Sequence, residues 1–164
     1  MNDVNIVYVH RNQLKIFIVK TQRSMTLYPN QEGIAITAIC HNQQRNTVIS
    51  FGMANGRIHD LDLTKKRVVR TSNLHRGQKV TAITSRGRHL VSSSADGRTI
   101  VFDQAKMEVE RELELAVIGI NVPTDLLLME DENTLVVADS KGLNPIDISE
   151  SSACEDCLQQ GKLN

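Results

Sequence analysis

The sequence predicts an all-β fold made by repetition of a unit of about forty residues, and three observations carry that expectation. One strand-and-turn phrase recurs along the chain. Asn-Gly and Asp-Gly turns, which favour tight hairpins, stand at matching offsets within it. Trp is absent and aromatic residues make up 3% of the 164 residues, so the core falls to Ile, Val and Leu, whose β-branched members favour pleated sheet.

The elements follow in order. The first copy reads Val4 to Val9, a turn at His10-Arg11-Asn12-Gln13, then Leu14 to Val19 and Ser24 to Tyr28. The second opens on Ile36-Thr37-Ala38-Ile39, continues through Thr47-Val48-Ile49-Ser50 and Ala54-Asn55-Gly56-Arg57, and ends on Asp62. The third repeats it as Val80-Thr81-Ala82-Ile83, Leu90-Val91-Ser92-Ser93, Ala95-Asp96-Gly97-Arg98 and Asp103. Both acids lie six residues beyond the turn glycine. The fourth runs from Asp125 to Met129, turns at Glu130-Asp131-Glu132-Asn133, and continues through Thr134 to Ala138, Lys141-Gly142 and Leu143 to Ile148.

The turn glycines Gly56, Gly97 and Gly142 are 41 and 45 residues apart, within the ~40–45 residues of a four-stranded propeller blade. The predicted fold is therefore a β-propeller segment of about four blades, with residues 1–149 forming blades and 150–164 a flexible polar C-terminal tail. Residues 4–28 read as the last three strands of one blade and 124–148 as the first three of another. Two blades are then complete and two are not. Unpaired edges and faces call for partners: the two ends, a second copy, another protein's propeller strands, or the rest of a longer chain, so that the ring is larger or shared.

One run tests this reading. Met107 to Leu115 is rich in Glu, a helix former. Its apolar residues nevertheless alternate at 107, 109, 113 and 115, which predicts the outermost strand of a blade with one wet face.

With these residues in view, Leu74 to Asp103, LHRGQKVTAITSRGRHLVSSSADGRTIVFD, resembles the WD-repeat family. The resemblance implies a buried hydrogen-bonded set formed by His75, Ser92 or Ser93, Asp96 and the residue at Phe102, with Asp103 closing the repeat. Phe102 and Leu61 stand where the family has Trp, and Asn55 replaces the turn Asp in the preceding copy. His75 lies one residue farther from Val80 than the family spacing.

The formal net charge is zero, but it is unevenly spread. Residues 1–56 carry five Lys/Arg against two Asp/Glu, residues 57–98 ten against three, and residues 99–164 four against fourteen. In a propeller of this family, loops joining first to second and third to fourth strands emerge together. Arg45, Lys65, Lys66, Arg86 and Arg88 are thereby the candidate partner-binding residues, with Arg57, Arg76, Lys79 and Arg98 toward the opposite face. No aromatic residue interleaves with these cations, which weakens a base-stacking reading.

Other chemistry finds little support. Cys154 and Cys157 have the spacing of half a zinc site, but Cys40 stands alone and no second pair completes it. The five His residues accompany no recognisable nucleophile, and no Gly-rich phosphate loop occurs. No catalytic residue, cofactor site or metal site is therefore assigned. No apolar run approaches the ~20 residues of a membrane span, and three unevenly placed cysteines fit a reducing, intracellular compartment, cytoplasmic or nuclear. The expected function is a non-enzymatic scaffold for protein partners in a multiprotein assembly. The alternative is a nucleic-acid-associated propeller that uses the basic segment 57–98.

Overall fold

A computed structural model describes residues 5–149. Fourteen strands form four antiparallel sheets in chain order. The first sheet holds Asn5–His10 (β1), Gln13–Ile18 (β2) and Arg23–Tyr28 (β3). The second holds Ile36–His41 (β4), Val48–Met53 (β5), Ile58–Asp62 (β6) and Arg67–Ser72 (β7). The third holds Val80–Arg86 (β8), His89–Ser94 (β9), Arg98–Asp103 (β10) and Glu108–Glu114 (β11). A 3-10 turn over Leu115–Ile118 leads to Asp125–Leu128 (β12), Thr134–Ala138 (β13) and Leu143–Asp147 (β14).

Each sheet is a meander because its hairpin turns are short, and β4, β8 and β12 lie side by side as the innermost strands. Seven residues join β3 to β4, and seven join β7 to β8. β3 therefore takes the outer position that β7 and β11 take in their blades. Among the described residues the arc is an all-β propeller segment with two four-stranded blades between two three-stranded ones.

The sheets stack face to face, and the apolar residues divide among the three junctions. Leu14 and Leu27 of the first blade pack with Ile49, Phe51, Met53 and Leu61 of the second. Ile58 packs with Val80, Ile83, Leu90 and Phe102 across the next junction. Ala82, Val91 and Val101 meet Leu126, Leu128, Leu135 and Val137 across the third. A period of two on each strand sends alternate residues to alternate junctions, which is why both middle blades are buried on both faces.

The Glu-rich run is a strand, with one departure from the simple alternation expected of it. Val101 lies opposite Arg111 but Phe102 lies opposite Val109, so Glu110 is an extra residue in the ladder. This bulge switches the face presented by the strand. Leu113 packs toward the fourth blade, whereas Val109 shares the face of Phe102 and is 46% exposed. The apolar positions thus serve two faces, where the sequence predicted one wet and one dry.

Candidate interaction surface

The hairpins place two sets of loops at opposite ends of the blades. Turns from first to second and third to fourth strands carry Arg45, Lys65, Lys66, Arg88 and Lys106, and Arg86 ends the strand that leads into one of them. Arg57, Arg76, Lys79 and Arg98 lie at the other end, and Arg67 and Arg70 lie on the outer strand β7. The ten cations of residues 57–98 consequently follow no single track.

Local chemistry fixes the loop conformations. The Asp62 carboxylate accepts the backbone N–H groups of Thr64 and Lys65 at 2.9 and 3.0 Å and the Thr64 hydroxyl at 2.6 Å. These bonds favour the charged form, and the Asp62 carboxyl titrates at about 2. Asp103 accepts from the N–H groups of Ala105 and Lys106 at 2.8 and 2.9 Å in the equivalent turn. Lys66 and Met107, each just before an outer strand, both take positive φ, at 50° and 62°. The Asn42 side chain accepts the Arg45 N–H at 3.1 Å and donates to Gln104 Oε1 at 2.5 Å, which links the second blade to the third.

The five sequence-predicted cations are not equivalent in this setting. Arg86 bonds Glu130 at 3.1 Å across the blade junction. Arg88 pairs with Glu110 at 3.4 Å and approaches buried Asp103 at 3.7 Å. Lys65 turns back to Asp62 at 3.4 Å. Among the described residues, Arg45 and Lys66 are exposed and form no ion pair. His89, next to Arg88 and only 8% exposed, stands between two carboxylates, with Nε2 2.9 Å from Glu110 and Nδ1 3.1 Å from Glu132. The approach of His89 to Glu110 and Glu132 spans two blades and has no local signature in the sequence.

The set suggested by family resemblance is distributed as follows. His75 is buried and shares a 2.8 Å hydrogen bond with Ser92 through Nε2, while its Nδ1 is buried without a hydrogen-bond partner among the described residues. Desolvation pushes His75 down to about 4. Ser93 instead pairs with Thr99 at 2.5 Å. Asp96 is exposed and accepts from Ser94 Oγ at 2.5 Å and from the Arg98 N–H at 3.2 Å. The resemblance implies one buried set with His75, but the hydrogen bonds of Asp96 lie within its own turn. Phe102 fills the blade junction with no donor to offer, and the Arg70 guanidinium lies 5.0 Å above its ring.

The sequence missed one buried ionic group. Asp60, 1% exposed, accepts the Ser50 hydroxyl at 2.7 Å and pairs with Arg70 at 2.7 Å. These residues are adjacent only because β5, β6 and β7 lie side by side. Cys40 is half-buried, and desolvation pushes its thiol up to about 12, well away from the reactive thiolate. Cys154 and Cys157 lie outside the described residues. Among those described, no helix is long and apolar enough to cross a membrane.

No family model matches the sequence, and no curated protein matches it. Solved structures do resemble it in fold. A chain of a mitotic checkpoint complex superimposes with a TM-score of 0.75 at 15% identity, over 88% of this chain and 43% of that one. A computationally designed protein, Ika4, gives 0.67 at 17% identity, over 91% of this chain and 88% of the designed one. The chain therefore spans less than half the length of the first of these structures.

Proposed function

We propose that this chain is a WD-repeat-like scaffold that binds other proteins through its cation-bearing loop face and its exposed blade edges, without catalysis of its own. The observation that carries this reading is the contrast within the loop face. Arg86 is held by Glu130 across a blade junction and Arg88 by Glu110 of its own blade, whereas Arg45 and Lys66 project from turns capped by side chains with no ion partner among the described residues. Loops on a stiff sheet frame present charge at little entropic cost, which suits docking of an acidic protein surface. The likeness to one chain of a multiprotein complex fits such a role.

Double reversal of Arg45 and Lys66 to Glu tests the reading in a pull-down from lysate. Partner capture should fall, chiefly through slower association at low salt, while thermal stability stays within about 0.5 kcal/mol of the parent. Reversal of Arg86 or Arg88 is less informative because it also breaks the ion pairs with Glu130 and Glu110. Retention of every partner by the double variant rejects the loop face as the docking surface.

A further inference from the structure

Two sheet faces at the ends of the arc are left without a partner among the described residues. Residues directly opposite in an antiparallel ladder share a face. Val7, Leu14 and Ile16 of the first blade pack toward the second. Their alternates are Ile6, opposite Phe17, and Tyr8, opposite Lys15, and these point the other way. In the last blade Leu126, Leu128, Leu135 and Val137 pack toward the third. Leu127 opposite Val136, and Ala138 opposite Leu143, form its outer face. Ile6, Leu127 and Leu143 are 52%, 54% and 73% exposed.

These faces match the interior junctions in kind. At each interior junction, the face that a blade turns back toward its predecessor meets the face that the predecessor turns forward. The first blade presents a backward face and the last a forward one. Their charges are complementary as well. Lys15 lies beside Tyr8 on the first, and Asp125 and Asp147 lie on the last. The surrounding thirds of the sequence carry +3 and −10 by formal count.

We propose that a second copy of this chain covers both faces, the Ile6–Tyr8–Phe17 face of each copy stacking on the Leu127–Val136–Leu143 face of the other to close a two-copy ring. The contact is head-to-tail, and two such contacts close the assembly. It rests on the scaffold reading only in that both take the blades as rigid modules. The loop cations lie at the blade ends, away from the sheet faces.

Sedimentation of the 164-residue chain from low to high micromolar concentration tests this. The expected mass is twice the chain's 18.3 kDa. Phe17→Glu and Leu127→Glu should each reduce it to one chain with unchanged far-UV circular dichroism, and Leu143→Glu serves as an independent check on the same face. An equimolar mixture of Phe17→Glu and Leu127→Glu should restore a two-chain species, because one intact pair of faces survives between them. A one-chain mass for the folded parent overturns the proposal and leaves the faces to further blades or to another protein. So does a Leu127→Glu variant that keeps the parent mass, or a mass that grows beyond two chains. Loss of the two-chain species with partner capture retained separates failure of the ring from failure of the loop-face reading.

Discussion

At the scale of the residue, His75 shows how burial sets a charge state. It is 1% exposed, it hydrogen-bonds Ser92, and desolvation holds it at about 4, below the ordinary 6.5. The unfolded chain therefore takes up a proton at a higher pH than the folded one. The contribution of neutral His75 is complete above pH 6.5 and is lost as pH falls toward 4, a swing of about 3 kcal/mol. Denaturant unfolding at pH 7 and pH 4.5 should show that loss, and His75→Gln should shrink it. The remaining slope then reflects groups such as His59, which burial also depresses. The family resemblance, which fails for Asp96 because its own turn satisfies it, made the pairing of His75 with a serine of β9 legible. Which serine bonds it was not, because Ser92 and Ser93 face opposite sides of one strand, and only the blade junctions decide which side meets His75.

At the scale of the element, equivalent turns carry different constraints. Gly56 and Gly97 occupy the same hairpin position, with φ of 79° and 84°. A Cβ on Gly97 would meet nothing within 4 Å, whereas on Gly56 it would lie 2.8 Å from the Gly77 nitrogen and 2.9 Å from the Gln78 carbonyl oxygen. Gly97→Ala should cost about 1–2 kcal/mol, the penalty of a left-handed backbone conformation for a side-chain-bearing residue. Gly56→Ala should cost distinctly more, since the loop before β8 must also move. Thermal melts of the two variants check the ordering, and equal losses would show that the loop yields freely. The hairpins themselves were readable from Asn-Gly and Asp-Gly. The β11 bulge was not, since a single extra residue in a run of alternating Glu leaves no mark until its partner strand is known.

At the scale of the whole molecule, the core is a series of junctions and not one centre. Ile49 belongs to the junction between the first two blades and Ile120 to the one between the last two. In a quasi-one-dimensional stack, energies at separate junctions add. Ile49→Val and Ile120→Val should each cost about 1 kcal/mol, and the double variant should lose their sum within about 0.5 kcal/mol. Chemical denaturation of the three variants measures this. A shortfall larger than that would mean that the junctions repack together.

The sequence alone determined the repeat, the strand order within each blade, the turn positions and the uneven charge, because each depends on residues close together in the chain. Hairpin chemistry and a period of two are local rules, and they survive any arrangement of the blades. Tertiary structure decided which charged side chains meet, between blades and across the strands of one blade. It tied Arg86 and Arg88 to carboxylates and left Arg45 and Lys66 without ion partners among the described residues, set His89 between Glu110 and Glu132, and buried Asp60 against Arg70. Those pairings join residues up to 44 positions apart, and their energies depend on desolvation and distance, which no local pattern encodes.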